Sequence, residues 1–178
     1  NSEDENCRYL KKTDTDVLFI HSKFYPLLDK IREKCPHIRL FIGIDEPSHH
    51  IDFTYIQLCE EGKLEEFTVE AKEEDLCSLF PTGGTTGDPK AVMFTNKMWT
   101  TMISTFVDNF PRKSPPVQLL IAPMTHGAGG ITLCLMAYGA SHIVMDNFNL
   151  DIVMPLVAEE KVTHLFLPPT AIYSWLAR

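Results

Sequence analysis

Thr82-Gly83-Gly84-Thr85-Thr86-Gly87-Asp88-Pro89-Lys90 lies between two apolar runs, Cys77-Ser78-Leu79-Phe80 and Ala91-Val92-Met93-Phe94. Three glycines, three threonines and a lysine contribute almost nothing to a packed core. They offer bare backbone N–H groups, hydroxyl donors and one cation, which is what an oxyanion such as a triphosphate needs. Gly83, Gly84 and Gly87 let the backbone approach an anion closely. Pro89 stiffens the exit, and Lys90 can neutralise charge as phosphates shift. Both flanks read as strands, so the segment is expected at the tip of a hairpin.

Two common phosphate loops do not fit. The P-loop pattern needs Gly, four residues, then Gly-Lys-Ser/Thr, whereas Lys90 follows Pro89 and precedes Ala91. No GxGxxG dinucleotide fingerprint is present, and Gly127-Ala128-Gly129-Gly130 runs on into Ile131-Thr132.

Outward from the loop, residues 96–110 form the clearest helix. Met98, Met102, Ile103, Phe106 and Phe110 make one apolar stripe, read as core, with Asn96 as N-cap and Pro111 as terminator. Beyond residue 117, strand candidates at 118–122, 142–146 and 163–167 alternate with helical stretches at 130–138, 150–160 and 169–178. Pro155 should kink the second of these helices or shift its start. Upstream, Val17–Ile20 and Leu40–Ile42 read as strands, with helical spacing over 22–34 between them, a loop over 45–53 and a short helix from Tyr55 to Glu61. Apolar strands alternating with helices predict an α/β fold with a mostly parallel sheet flanked by helices.

Composition narrows the classes. The 178 residues carry 24 acidic and 16 basic side chains, a formal net charge of −8. A nucleic-acid binder would show a basic face, so that class is disfavoured. Much of the acid falls between residues 60 and 75 (Glu60, Glu61, Glu65, Glu66, Glu70, Glu73, Glu74, Asp75) and reads as a solvated, linker-like stretch. The five cysteines are scattered, without a CxxC pair, which suggests reduced thiols, mostly buried, in a cytoplasmic protein. No run approaches the ~20 apolar residues of a membrane span, and no basic amphipathic helix argues for membrane-surface association, which stays open. His49-His50 with Asp52 reads as surface loop and not as a metal site. Asn1 at the start and a helical C-terminus suggest a fragment, one partial domain over 1–178.

The loop resembles the signature of the adenylate-forming superfamily: acyl-CoA synthetases, aryl-CoA ligases, luciferases and peptide-synthetase adenylation domains. That signature is a Ser/Thr/Gly-rich stretch, Gly-Thr-Thr-Gly, any residue, Pro-Lys, and usually Gly, where this chain has Ala91. Ala122-Pro123-Met124-Thr125-His126-Gly127-Ala128-Gly129 is similar to the family's Pro-x-x-His-x-x-Gly segment, and His164–Thr170 to its Val-Pro-Thr strand end. Residues 17–44 resemble its early strand–helix–strand unit more weakly.

The resemblance implies a large N-terminal domain of a ligase that joins a carboxylic acid to AMP, releases pyrophosphate and transfers the acyl group to a thiol, commonly coenzyme A. ATP, Mg²⁺ and coenzyme A are the implied co-substrates. Thr82, Gly83, Gly84, Thr85, Thr86, Gly87 and Lys90 would hold the β- and γ-phosphates. His126 would lie by the carboxylate and α-phosphate as the catalytic residue, with Gly127 and Gly129 making room for the acid. Residues 122–130 contain no acidic side chain to pair with an α-amine, which favours a fatty or aryl acid. An adenylation domain loading a carrier protein and a non-catalytic nucleotide-binding protein are the alternatives. The family's Tyr-Gly-x-Thr-Glu segment, ribose-binding aspartate and C-terminal lysine domain have no counterpart here, so the chain alone is expected to have little ligase activity.

Overall fold

A computed structural model describes residues 3–62, 68–82, 90–111, 114–125, 127–146 and 148–177. Backbone contacts divide the chain into two compact units. One comprises residues 1–71 and 78–93, the other residues 72–77 and 94–178.

The first unit begins with a helix that the sequence reading lacked, α1 (Glu3–Lys12). Three acids in its first turn and two lysines in its last complement the helix dipole, and Cys7 is its one buried residue. Then follow β1 (Val17–Ile20), a 3-10 segment (Ser22–Leu27), α2 (Leu28–Lys34), β2 (Leu40–Gly43), β3 (Phe53–Thr54) and α3 (Tyr55–Glu61). The expected single helix over 22–34 is split. Pro26 lies in the 3-10 segment and has no N–H for a regular ladder, so the α-helix starts after it. The sheet order is β1-β2-β3, all parallel, with Val17 opposite Leu40 and Ile42 opposite Phe53. Asp52 supports β2 from the side: its carboxylate accepts from the Phe41 N–H at 2.8 Å, and its own N–H donates to the Phe41 carbonyl at 2.9 Å. α3 starts on a capping box, in which Thr54 Oγ1 accepts from the Gln57 N–H at 3.2 Å and Gln57 Oε1 from the Thr54 N–H at 2.8 Å.

The core of this unit gathers Cys7, Ile20, Tyr25, Leu28, Cys35, Ile38 and Phe41. Phe41 and Leu28 are fully buried, worth about 1.5–3 kcal/mol each by area. Above the sheet's carboxyl end, Ser22 grips Asp45. Its N–H donates to Oδ1 at 2.8 Å and its hydroxyl to Oδ2. The hydroxyl bond above all holds the Asp45 carboxyl below its ordinary range. A depressed carboxyl contributes stability that is present above its unfolded value and is lost as pH falls through the folded one. Ser22→Ala should therefore flatten the acid side of the stability curve. Urea midpoints from about pH 5 down to about pH 3 test this, and parallel curves for the two proteins would refute it.

In the second unit lie α4 (Asn96–Asn109), β6 (Val117–Leu120), α5 (Gly127–Met136), β7 (Ser141–Val144), α6 (Leu150–Glu159), β8 (His164–Leu165) and α7 (Pro169–Leu176). β4 (Leu76–Pro81) and β5 (Ala91–Thr95) carry the chain between units. The sheet order is β7-β6-β8, parallel throughout, with Gln118 level with His142 on one side and His164 on the other. Fully buried Gln118 meets the His142 ring at 2.9 Å across that register. Leu119, Leu120, Ala128, Cys134, Leu135 and Val153 fill the core around it. α6 runs through Pro155 with its start where expected, because Asn149 caps it by accepting from the Asp151 N–H at 3.0 Å.

α5 closes on Gly139 in a Schellman arrangement. Gly139 N–H donates to Met136 O at 2.9 Å and Ala140 N–H to Leu135 O at 3.3 Å, with Gly139 at φ +68°. A Cβ there would meet nothing within 4 Å, so only the backbone resists a side chain. Gly139→Ala should cost about 1–2 kcal/mol in denaturant unfolding. No loss of stability would show that this turn relaxes freely.

Among the described residues, no helix is long and apolar enough to cross a membrane. Cys7, Cys35 and Cys134 are buried, while Cys59 and Cys77 are exposed.

Candidate functional site

The strands on either side of the glycine-rich segment, β4 and β5, are hydrogen-bonded neighbours, as the sequence pattern requires of a hairpin. At its mouth the Thr82 N–H donates to the Lys90 carbonyl at 3.0 Å. This main-chain bond brings together the first and last residues of the expected phosphate loop. Both side chains are exposed. Gly83, Gly84, Thr85, Thr86 and Gly87, with Asp88 and Pro89, lie outside the described residues. One arm of the hairpin is tied back to α1, where the Tyr9 hydroxyl donates to Leu79 O at 3.1 Å.

After β5 the chain enters α4 under a cap that differs from the expected one. Thr95, not Asn96, is the N-cap, and its hydroxyl accepts from the Met98 N–H at 3.3 Å. Asn96 is the first helical residue and its amide instead donates to Lys72 O at 2.9 Å. The reason lies in the acidic stretch, which is partly built structure. The Asn96 N–H donates to Asp75 O at 3.1 Å and the Lys97 N–H to Glu73 O at 2.8 Å. These carbonyls satisfy first-turn donors that have no partner inside the helix. The Lys97 ammonium reaches Glu73 at 3.2 Å and Glu74 at 3.5 Å, which raises its pKa. The expected linker thus includes a corner seated on α4, while Glu65 and Glu66 lie outside the described residues. The apolar stripe of α4 is less enclosed than expected: Met102, Ile103 and Phe106 are half-buried, and Met98 and Phe110 are exposed.

In the second unit, β6 leads through Pro123, Met124 and Thr125 to α5. His126 lies outside the described residues. Gly127 and Gly129 form the first turn of α5, where a side chain is excluded at Gly129 and tightly confined at Gly127. A Cβ on Gly129 would sit 2.0 Å from the Met124 carbonyl oxygen, and one on Gly127 would sit 3.2 Å from the Phe166 ring. Phe166 follows β8 directly, so the parallel register of β6 and β8 delivers Met124, Gly127 and Phe166 to one carboxyl edge. In open parallel sheets ligands bind at such an edge. The sequence reading quoted Phe166 only as part of a strand end; its place beside Gly127 needs the β6–β8 register, which no local pattern reveals. The first turn of α5 has no acidic residue. Thr82 and Lys90 belong to the first unit, Gly127 and Gly129 to the second.

Among the described residues, no group of three or more His, Cys, Asp or Glu could hold a metal ion. His50 lies 3.5 Å from Asp29, and Asp52 is engaged with the Phe41 N–H, so the His49-His50-Asp52 trio is used in local contacts.

The sequence pattern described as AMP-binding enzyme matches residues 1–178, and the chain belongs to that adenylate-forming family. A 4-hydroxybutyrate–CoA ligase of Metallosphaera sedula is 31% identical over 178 residues, which is 95% of this chain and 32% of the relative. The crystal structure of an anthranilate CoA ligase in complex with anthranoyl-AMP superposes with a TM-score of 0.82 at 22% identity, covering 96% of this chain and 34% of that one. An O-succinylbenzoate CoA synthetase of Bacillus subtilis, in complex with ATP and a magnesium ion, superposes with a TM-score of 0.76 at 19% identity, covering all of this chain and 34% of the other. The chain therefore spans about a third of the length of the proteins it matches.

Proposed function

We propose that the full-length protein is an ATP-dependent acid–thiol ligase that converts a carboxylic acid to its acyl-adenylate and passes the acyl group to coenzyme A. The observation that carries this reading is the complete Thr82–Lys90 signature, set in a hairpin closed by the Thr82–Lys90 main-chain bond, in a chain that the AMP-binding enzyme family matches from end to end. In this reading the loop's N–H groups and hydroxyls bind the β- and γ-phosphates, and the Lys90 ammonium follows the charge onto departing pyrophosphate. Such a reaction needs placed positive charge more than covalent help from the protein. Magnesium, the metal the family resemblance implies, would supply further neutralisation at the phosphates.

The acid would lie at the carboxyl edge of β6 and β8, with His126 donating a hydrogen bond to its carboxylate, Gly127 bordering it beside Phe166, and Gly129 letting the chain turn tightly against the Met124 carbonyl. The lack of an acidic side chain over 122–130 favours an acid without an α-amine, in the fatty or aryl class. The ligase similar to this chain is named for 4-hydroxybutyrate, an acid without an α-amine.

The test is acid-dependent ATP–pyrophosphate exchange by the full-length protein, followed by coenzyme A-dependent release of AMP. Exchange driven by fatty, hydroxy or aryl acids, and not by amino acids, is expected. Exchange with α-amino acids alone would favour a carrier-loading domain, and nucleotide binding without exchange would favour a non-catalytic protein. The 178-residue chain by itself is expected to form no measurable acyl-CoA.

A further inference from the structure

Cys7 on α1 and Cys35 at the end of α2 are 28 residues apart in sequence and share one core cluster. Both are buried, at 4% and 0% exposure. The Cys35 thiol donates to the Cys7 carbonyl with Sγ 3.5 Å from the oxygen. Burial chiefly, and then the neighbouring Cys7, push the Cys35 thiol up. Cys35 therefore suits the second, resolving position in an oxidation and not the first attack.

A second feature lies beside Cys7. A cavity of about 20 Å³ lies against α1, lined by Glu3, Asn6, Cys7, Leu27, Lys30 and Ile31. That volume accepts a molecule of about water's size. It opens on Cys7 and not on Cys35. Lys30 lies on the same wall, ion-paired with Glu3.

We propose that Cys7 and Cys35 are an oxidation site that hydrogen peroxide converts to a disulfide pinning α1 to α2. The Cys7 thiolate attacks one peroxide oxygen, the O–O bond breaks, hydroxide leaves, and Cys7 becomes a sulfenic acid. The Cys35 sulfur then attacks that sulfur. The S–S bond forms, the S–O bond breaks, and water leaves with the Cys35 proton. Peroxide is reduced by two electrons and the two thiols are oxidised by two.

The experiment uses the protein with exposed Cys59 and Cys77 replaced by serine, treated with hydrogen peroxide, alkylated and digested with trypsin. The peptides carrying Cys7 and Cys35 should run as one species, two hydrogens lighter than their sum, while Cys134 is alkylated. The linked protein should melt about 5–10 °C higher than the reduced one. In Cys35→Ala, Cys7 should stop at the sulfenic acid and be trapped by dimedone. Recovery of both cysteines as alkylated peptides after peroxide, or a Cys7 that passes to the sulfonic acid with Cys35 intact, would overturn the proposal. Since the first readout is on a protein with both core thiols in place, instability of the alanine variant does not decide the matter.

Discussion

Lys90→Met in the full-length protein is expected to lower kcat/KM for ATP in acyl-adenylate formation by about 100-fold, the size of effect seen when one fixed charge-stabilising donor is removed. The substitution isolates the ammonium. Methionine keeps most of the stem, and the bond that closes the hairpin runs through the Lys90 carbonyl, which every residue has. The side chain is exposed, so the fold should not notice its loss. Unfolding midpoints of the two proteins should coincide while initial rates of pyrophosphate exchange separate. A rate within twofold of the wild type would remove Lys90 from the phosphate site.

Gly129→Ala carries the largest expected structural effect. The new Cβ would lie 2.0 Å from the Met124 carbonyl oxygen and 3.0 Å from its carbon, and these are backbone atoms that cannot swing aside. Either the 123–125 turn or the first turn of α5 must move. We expect a loss of about 3 kcal/mol or more, at the upper end for overpacked sites. Gly130, one residue on, is the control. A Cβ there meets only the flexible Met102 terminus at 3.7 Å, and alanine is the better helix former by about 0.5–1 kcal/mol. Gly130→Ala should thus be neutral or stabilising, and equal losses at the two positions in urea titrations would mean that the close approach is not what fixes Gly129. Because Met124 and Gly127 share the carboxyl edge of β6 and β8, Gly129→Ala should also depress adenylate formation.

The sequence made some of this legible for identifiable reasons. β1, β2, β6 and β7 are apolar runs bounded by polar residues, and each was found within about two positions. α3 lies at the expected limits, Tyr55–Glu61, and the structure adds the Thr54–Gln57 capping box that fixes its start. α1 has no apolar run to read, because seven of its ten residues are charged or amide and only Cys7, Tyr9 and Leu10 mark its inner face. β3 is two residues long and exists only through pairing with Ile42 and Gly43, a tertiary fact with no local signal. The cap of α4 was misplaced by one residue because Thr95 and Asn96 are both good capping types, and the choice rests on the distant carbonyls of Lys72, Glu73 and Asp75. At the candidate site, chemistry was readable as residue types in the loop. Phe166 was not, since its place beside Gly127 depends on strand order.

The path of the chain between its two units has a consequence for anyone who would dissect it genetically. The chain crosses after Ala71, after Cys77 and after Met93, the last two within β4 and β5. Neither unit is a single stretch of sequence. A clone ending at residue 71 leaves the first unit without its share of the hairpin, and one beginning at residue 94 leaves the second without the 72–77 corner that completes the first turn of α4. No single stop codon or start site can separate them intact. The practical smallest genetic unit therefore includes both, and an insertion meant to be tolerated belongs away from these three crossings.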